Sequence, residues 1–190
     1  LQESTGLAID MAEKAISLDE SLADAYDIIG NSLILRREYE KAIAKLEQAL
    51  KLEPNGADIH GHLGMALVFD DTPQEAVQVF QTAIRLNPTP PSWYLHMLAT
   101  AYNFIEKYNE AIYWAEKAVQ QNPKSLIGHV VLCSIYSSAD RMEEARKEAS
   151  EILKINPKYS VSRVEKTNPL KNQAVKKRWF DALRKAGLPD

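Results

Sequence analysis

The chain has 190 residues, is 45% hydrophobic and 26% charged, and carries a formal net charge of −3, so it holds enough apolar material for a sizeable core. No apolar run approaches the length of a membrane-spanning helix, and no signal-peptide pattern opens the sequence. The one cysteine, Cys133, excludes an internal disulfide and a cysteine-based metal site, and suggests a reducing, cytoplasmic location.

The predicted helices in chain order fall near 5–19, 23–36, 39–52, 57–69, 73–86, 90–105, 108–121, 126–138 and 141–155. They come in pairs on a regular beat. Prolines recur at 54, 88, 123 and 157, and alanines at 8, 42, 76, 111 and 145. A second alanine series stands at 15, 49, 83 and 118, and small residues recur at Gly30, Gly64, Ala99 and Cys133. The period is about 34 residues. Within 23–56, Tyr26, Ile29, Gly30 and Leu33 mark one helix face, and Ala42, Leu46 and Ala49 mark the next. Two helices approach closely only where side chains are short, so Gly30 is expected to cross against Ala42. Thr72 with Glu75, and Asp140 with Glu143, have the spacing of helix caps.

The junction NPTPP at 87–91 carries two extra prolines and one inserted residue. Thr89 is expected to cap the following helix, with Pro90 and Pro91 in its first turn. After Pro157 the period is lost. Residues 172–186 form a last amphipathic helix with Val175, Trp179, Leu183 and Ala186 along one stripe and Phe180 beside it, stopped by Gly187 and Pro189. It reads as a cap for the terminal repeat, or as a docking helix for a partner. Residues 161–190 hold eight Lys/Arg and three Asp/Glu, a basic end suited to solvent or to an acidic neighbour.

The small, Leu and Tyr positions of each first helix, the alanines of each second helix and the closing proline resemble the tetratricopeptide repeat. The resemblance implies an all-α, right-handed α-solenoid of helix-turn-helix units with a C-terminal capping helix. Its expected organisation is the second helix of a truncated repeat over 1–22, repeats over 23–56, 57–90, 92–125 and 126–159, and a tail over 160–190. The stretch NPTPPSWYLHMLATAY and the ending LRKAGLPD further resemble the C-terminal tetratricopeptide regions of bacterial class III adenylate/guanylate cyclase-like signalling proteins. That likeness implies a regulatory region of a larger protein. The opening Leu1 agrees with a fragment.

In tetratricopeptide arrays the first helices line the concave face. The repeat puts Asp27, Asn31 and Leu35, then Met65 and Phe69, then Trp93, His96, Thr100 and Phe104 at those positions. The expectation is a groove for a peptide or an amphipathic helix. The alternative is that Trp93 and Phe104 pack against neighbouring helices or the tail. A chaperone-type carboxylate clamp would need Lys/Asn/Asn/Lys/Arg, and the matching positions hold Asp27, Asn31, His62, Trp93 and Met97. Only Asn31 fits.

Nothing points to an enzyme, a metal or a cofactor. His60 and His62 are two apart and point to different sides of a helix. His60 and His129 read as packing histidines, and Cys133 as an inert small residue between helices. The net charge argues against nucleic acid. A second expectation is self-association as a homodimer through Ile9, Ala12 and Ile16 on the first helix, whose partner helix is missing.

Overall fold

A computed structural model describes residues 2–190. Among them are eleven α-helices and no strand: α1 Gln2–Leu18, α2 Ala23–Leu35, α3 Tyr39–Leu52, α4 Ala57–Phe69, α5 Pro73–Leu86, α6 Ser92–Phe104, α7 Tyr108–Gln121, α8 Leu126–Ser138, α9 Met142–Ile155, α10 Val161–Thr167 and α11 Gln173–Lys185. They form two compact units, one running to Thr89 and one from Pro90 to Asp190. The fold is all-α, an α-solenoid of helix pairs.

In unit 1, α2 packs on α3, α4 on α5, and α1 on α2. The second helices bury their alanine stripe completely: Ala42, Leu46 and Ala49 on α3, and Ala76, Phe80 and Ala83 on α5, are all 0% exposed. The small residue of each first helix meets the large one in that stripe. A Cβ added to Gly30 would lie 2.5 Å from Leu46 Cγ, and one on Gly64 would lie 2.7 Å from the Phe80 ring. The nearest side chain to Gly30 is therefore Leu46, four residues along the same stripe as Ala42. The branched side chain fills the space that two short ones would leave void.

Unit 2 repeats the pairing with α6 on α7 and α8 on α9. Here the crossing uses different sizes. Ala99 and Cys133 replace the glycines, and Ala115 and Ala149 stand where Leu46 and Phe80 do. The Cys133 thiol is buried and points at the Ala145 carbonyl (3.4 Å). Burial, with the nearby Glu148 carboxylate, pushes its pKa up to about 12.

Each first helix ends in the same way. Arg37, Asp71, Glu106 and Asp140 adopt φ of 63°, 75°, 61° and 61°. The next amide donates back across the turn, as in Glu38 N to Leu33 O (3.0 Å), Thr72 N to Leu67 O (2.9 Å), Lys107 N to Tyr102 O (3.0 Å) and Arg141 N to Tyr136 O (2.9 Å). These are Schellman turns built on residues other than glycine, each carrying the strain of a left-handed Cβ.

Three cap expectations are corrected. Thr72 donates its hydroxyl back to the Leu67 carbonyl (3.1 Å) and caps nothing forward. Asp140 is the left-handed residue closing α8, so it cannot have the extended backbone of a cap for α9. Thr89 bonds to Asn87 Oδ1, and α6 begins only at Ser92, with Pro91 extended before it. Pro90 and Pro91 thus precede the helix instead of forming its first turn.

The tail contains a helix that periodicity did not reveal. Ser160 accepts from Arg163 N and starts α10. Val161 N then donates to Pro189 O (2.8 Å), tying the start of the tail to its end. Asn172 caps α11 by accepting from Ala174 N and Val175 N. Gly187, at φ 96°, closes it, with Leu188 N donating to Leu183 O. Trp179, Phe180, Leu183, Ala186 and Leu188 are buried, while Val175 is only half-buried. α11 packs against α8.

Candidate functional site

In unit 1, the first-helix face is formed by α2 and α4, which pack on each other. Asp27, Asn31, Met65 and Phe69 are half-buried there, and Leu35 is 51% exposed. Ile28, one residue from Asp27 and seven before Leu35, shares this face and is 47% exposed. Sequence reasoning passed over Ile28, although its i, i+4, i+7 relation to Asp24 and Leu35 marks it. Asp27 Oδ1 lies 2.8 Å from His62 Nδ1, so the two helices are joined by a polar pair on the same face. The Phe69 ring sits 5.9 Å from that of Tyr39. His60 turns elsewhere, with Nε2 on the Pro54 carbonyl (3.0 Å).

In unit 2, the equivalent face carries Trp93, His96, Thr100 and Phe104 on α6. Trp93 is half-buried with its ring 4.4 Å from Tyr94. His96 and Thr100 are buried, and Thr100 Oγ1 donates to the His96 carbonyl (2.8 Å). Burial lowers the His96 pKa to about 4, so its ring is neutral near pH 7. Phe104 meets Trp179 of α11 edge to face, centroids 5.7 Å apart. The basic end also reaches this face. Arg178 donates to Glu106 (2.6 Å) and to the Phe104 carbonyl (3.3 Å), and Lys185 to Asp140 (2.9 Å). Arg184 binds Glu165 (2.6 Å) and Asp190 (2.9 Å).

Three buried side-chain atoms on α6 and α8 have no hydrogen-bond partner: His96 Nδ1, Asn103 Oδ1 and Ser134 Oγ. Asn103 was not singled out by sequence, because nothing in the repeat distinguishes it from a turn residue. His129 is buried between acceptors, Glu148 Oε2 (2.6 Å) and the Pro123 carbonyl (3.1 Å), the latter repeating the His60–Pro54 contact.

On α1, Ala12 is buried and Ile9 and Ile16 are half-buried. With Thr5, also buried, they lie on one side of the helix, and α1 packs on α2. The apolar residues most exposed on α1 form another stripe, Leu7, Met11 and Leu18, at 62%, 65% and 83%. Among the described residues, no helix is long and apolar enough to cross a membrane.

Known proteins bear out the repeat. A family model described as TPR repeat matches residues 30–68, and one described as tetratricopeptide repeat matches 57–90 and 94–125. No curated protein matches the sequence. Solved structures share the fold. PilW, described as a widely conserved type IV pilus biogenesis factor, is 15% identical with a TM-score of 0.78, over 97% of this chain and 83% of PilW. YrrB, described as a TPR protein with an unusual peptide-binding site, is 20% identical with a TM-score of 0.67, over 92% and 90%. MamA from Desulfovibrio magneticus RS-1 is 18% identical with a TM-score of 0.65, over 87% and 96%. The matched residues, 30–90 and 94–125, carry tetratricopeptide repeats, and the helix pairs of the chain have the fold of that repeat.

Proposed function

We propose that this chain is a non-catalytic interaction scaffold, the regulatory C-terminal part of a larger cytoplasmic signalling protein, which takes a peptide or helix on its first-helix faces. One observation carries the reading: in unit 2 an amphipathic helix of the chain itself, α11, already lies against α8 with Trp179 on Phe104. A surface that accepts such a helix in cis has the apolar and charged groups to accept a segment in trans. The first-helix face of unit 1, with Ile28, Leu35, Met65 and Phe69, offers similar chemistry. YrrB, similar in fold, is described as having a peptide-binding site. A photoreactive residue at position 35 is expected to crosslink to a partner protein, while one at Tyr113, exposed on the second helix α7, is not. Equal labelling from both positions would sink the reading.

A second reading, self-association, is favoured by the exposed stripe Leu7, Met11 and Leu18. These positions hold charged or polar residues, or outward apolar ones, in the other second helices, whose alanine faces are fully covered. Light scattering is expected to show a concentration-dependent mass that Leu7→Lys with Met11→Lys returns to the monomer value. A mass unchanged by the pair of substitutions rules out this surface.

A further inference from the structure

Asparagine is prone to one reaction with its own chain: the nitrogen of the following residue attacks the side-chain carbonyl and closes a ring. Nearly all the asparagines here are shielded from it. Asn87, Asn122, Asn156 and Asn168 each precede a proline, whose nitrogen has no hydrogen to lose. Asn31, Asn103 and Asn109 lie in α2, α6 and α7, where the helical backbone holds the next nitrogen away from the side chain. Asn172 has its Oδ1 engaged by Ala174 N and Val175 N. Asn55 differs on every count. It is exposed in the turn between α3 and α4, and Gly56 follows it, with no side chain to hinder the approach. Packing fixes that glycine. A Cβ there would lie 2.6 Å from Cδ1 of Ile59, a residue only 3% exposed.

His60 grips this turn on both sides of Asn55. Its main-chain N donates to Gly56 O (3.0 Å), and its ring Nε2 donates to Pro54 O (3.0 Å). The two grips fit the length of ordinary backbone between them. Gly56 N itself donates to Glu53 O (3.1 Å). That bond opposes the attack, because the nitrogen must give up its proton as the ring closes. The reaction therefore waits for the turn to open locally.

We propose that Asn55 is a self-modification site, where the Gly56 nitrogen converts the side-chain amide through a succinimide to isoaspartate, and that this change releases the His60 grip on the α3–α4 turn. Gly56 N bonds to Asn55 Cγ, the Cγ–Nδ2 bond breaks, and the proton from Gly56 N leaves with the ammonia. Water then opens the ring. Cleavage at Cγ gives aspartate with an ordinary backbone. Cleavage at the main-chain carbonyl gives isoaspartate, whose main chain runs through Cβ and Cγ and is longer by a carbon. Water is the co-reactant, and nothing is oxidised or reduced. The added carbon falls between Pro54 O and Gly56 O, so His60 cannot hold both. Grip and reaction oppose each other: the grip slows ring closure, and isoaspartate keeps the grip from re-forming. The inference stands apart from the scaffold reading.

The test ages the full chain in mildly alkaline buffer and follows each asparagine by peptide mapping and mass spectrometry. Methylation by an isoaspartyl methyltransferase tells isoaspartate from aspartate. Asn55 is expected to convert several-fold faster than any other asparagine, with isoaspartate among its products. Asn55→Gln is expected to abolish that methylation, because the longer side chain closes its ring slowly. His60→Phe, which removes the ring donor, is expected to speed conversion several-fold. Should that variant not fold, low urea serves instead, and conversion is expected to rise in step with hydrogen exchange of the Gly56 amide. The isoaspartyl form is expected to melt lower and to lose exchange protection at Gly56 and His60. Asn55→Asp, with the same charge and no added carbon, is expected to keep both. Conversion spread evenly over the asparagines overturns the proposal, as does an Asn55 that stays intact in the folded chain while the urea-unfolded chain converts. A rate indifferent to both His60→Phe and the opening of the turn overturns the gating, and an isoaspartyl form as well protected as Asn55→Asp overturns the release.

Discussion

Unit 1 and unit 2 share one helix-pair plan and differ in almost everything that plan does not dictate. Residues 1–89 hold seven Lys/Arg and fifteen Asp/Glu, while 90–190 hold sixteen and eleven. Unit 1 leaves Ile28 and Leu35 about half exposed on its first-helix face, while unit 2 buries His96, Thr100 and Val130 on the equivalent one. Unit 1 crosses its helices with glycine against Leu46 or Phe80; in unit 2 the glycine positions hold Ala99 and Cys133, and the positions of Leu46 and Phe80 hold Ala115 and Ala149. The lesson is that the repeat constrains the sum of volumes at a crossing and the length of the turn, and leaves the faces free to diverge.

The largest way to break the comparison is Phe180→Ala. Phe180 is 0% exposed, and its loss should cost about 3–5 kcal/mol. Hydrogen exchange is expected to speed up on α8 and α11 and to stay unchanged on α2 and α4. Loss of protection across both units would mean that they unfold as one.

Next comes acid. His96 is pushed down to about 4 from 6.5 by burial, so the unfolded chain takes up a proton more readily than the folded one. The stability this lends is full above pH 6.5 and is lost as the pH falls toward 4, by about 3 kcal/mol in total. Urea titrations over that window should show this slope, and His96→Gln should flatten it.

Gly64→Ala tests the crossing. The new methyl would lie 2.7 Å from the Phe80 ring, so a loss of about 2 kcal/mol is expected by denaturant unfolding. In unit 2 the same repeat position is Ala99, and Ala115 stands where Phe80 does. A neutral result in unit 1 would mean that Phe80 has somewhere to go.

The smallest effect is a gain. Asp71→Gly should stabilise by about 1 kcal/mol, relieving a left-handed residue. Asp140→Gly in unit 2 should relieve the same strain, offset by the loss of the acceptor of Lys185. Melting temperatures of the two variants compare them directly.

The sequence made the packing positions legible because packing repeats. Ala42, Ala76, Ala111 and Ala145 sit on the beat and are all 0% exposed. The nearness of Leu46 to Gly30 was harder to read, because a small residue suggests another small one, when a branched side chain fills the same space. The left-handed turns were invisible, since Arg, Asp, Glu and Asp share no chemistry that marks φ > 0 and the strain is imposed by the helices on either side. The amphipathic stripe of α11 announced a buried helix, yet its seat on α8 beside Phe104 could not be read, because a single non-periodic helix has no repeat to fix its register. The orphaned atoms of His96, Asn103 and Ser134 lay beyond sequence for a related reason: whether a buried hydroxyl is paired depends on a rotamer and a neighbour, not on residue type.

The lone cysteine has a practical consequence. Cys133 is walled in on a helix crossing, with its thiol held protonated far above neutral pH, and the thiolate is the form that reacts with alkylating reagents. A cysteine introduced on the surface, at Leu35 or at Tyr113, would then be the one readily modified thiol of the folded protein. Dyes or spin labels can be attached at chosen sites on either unit without first deleting a native residue.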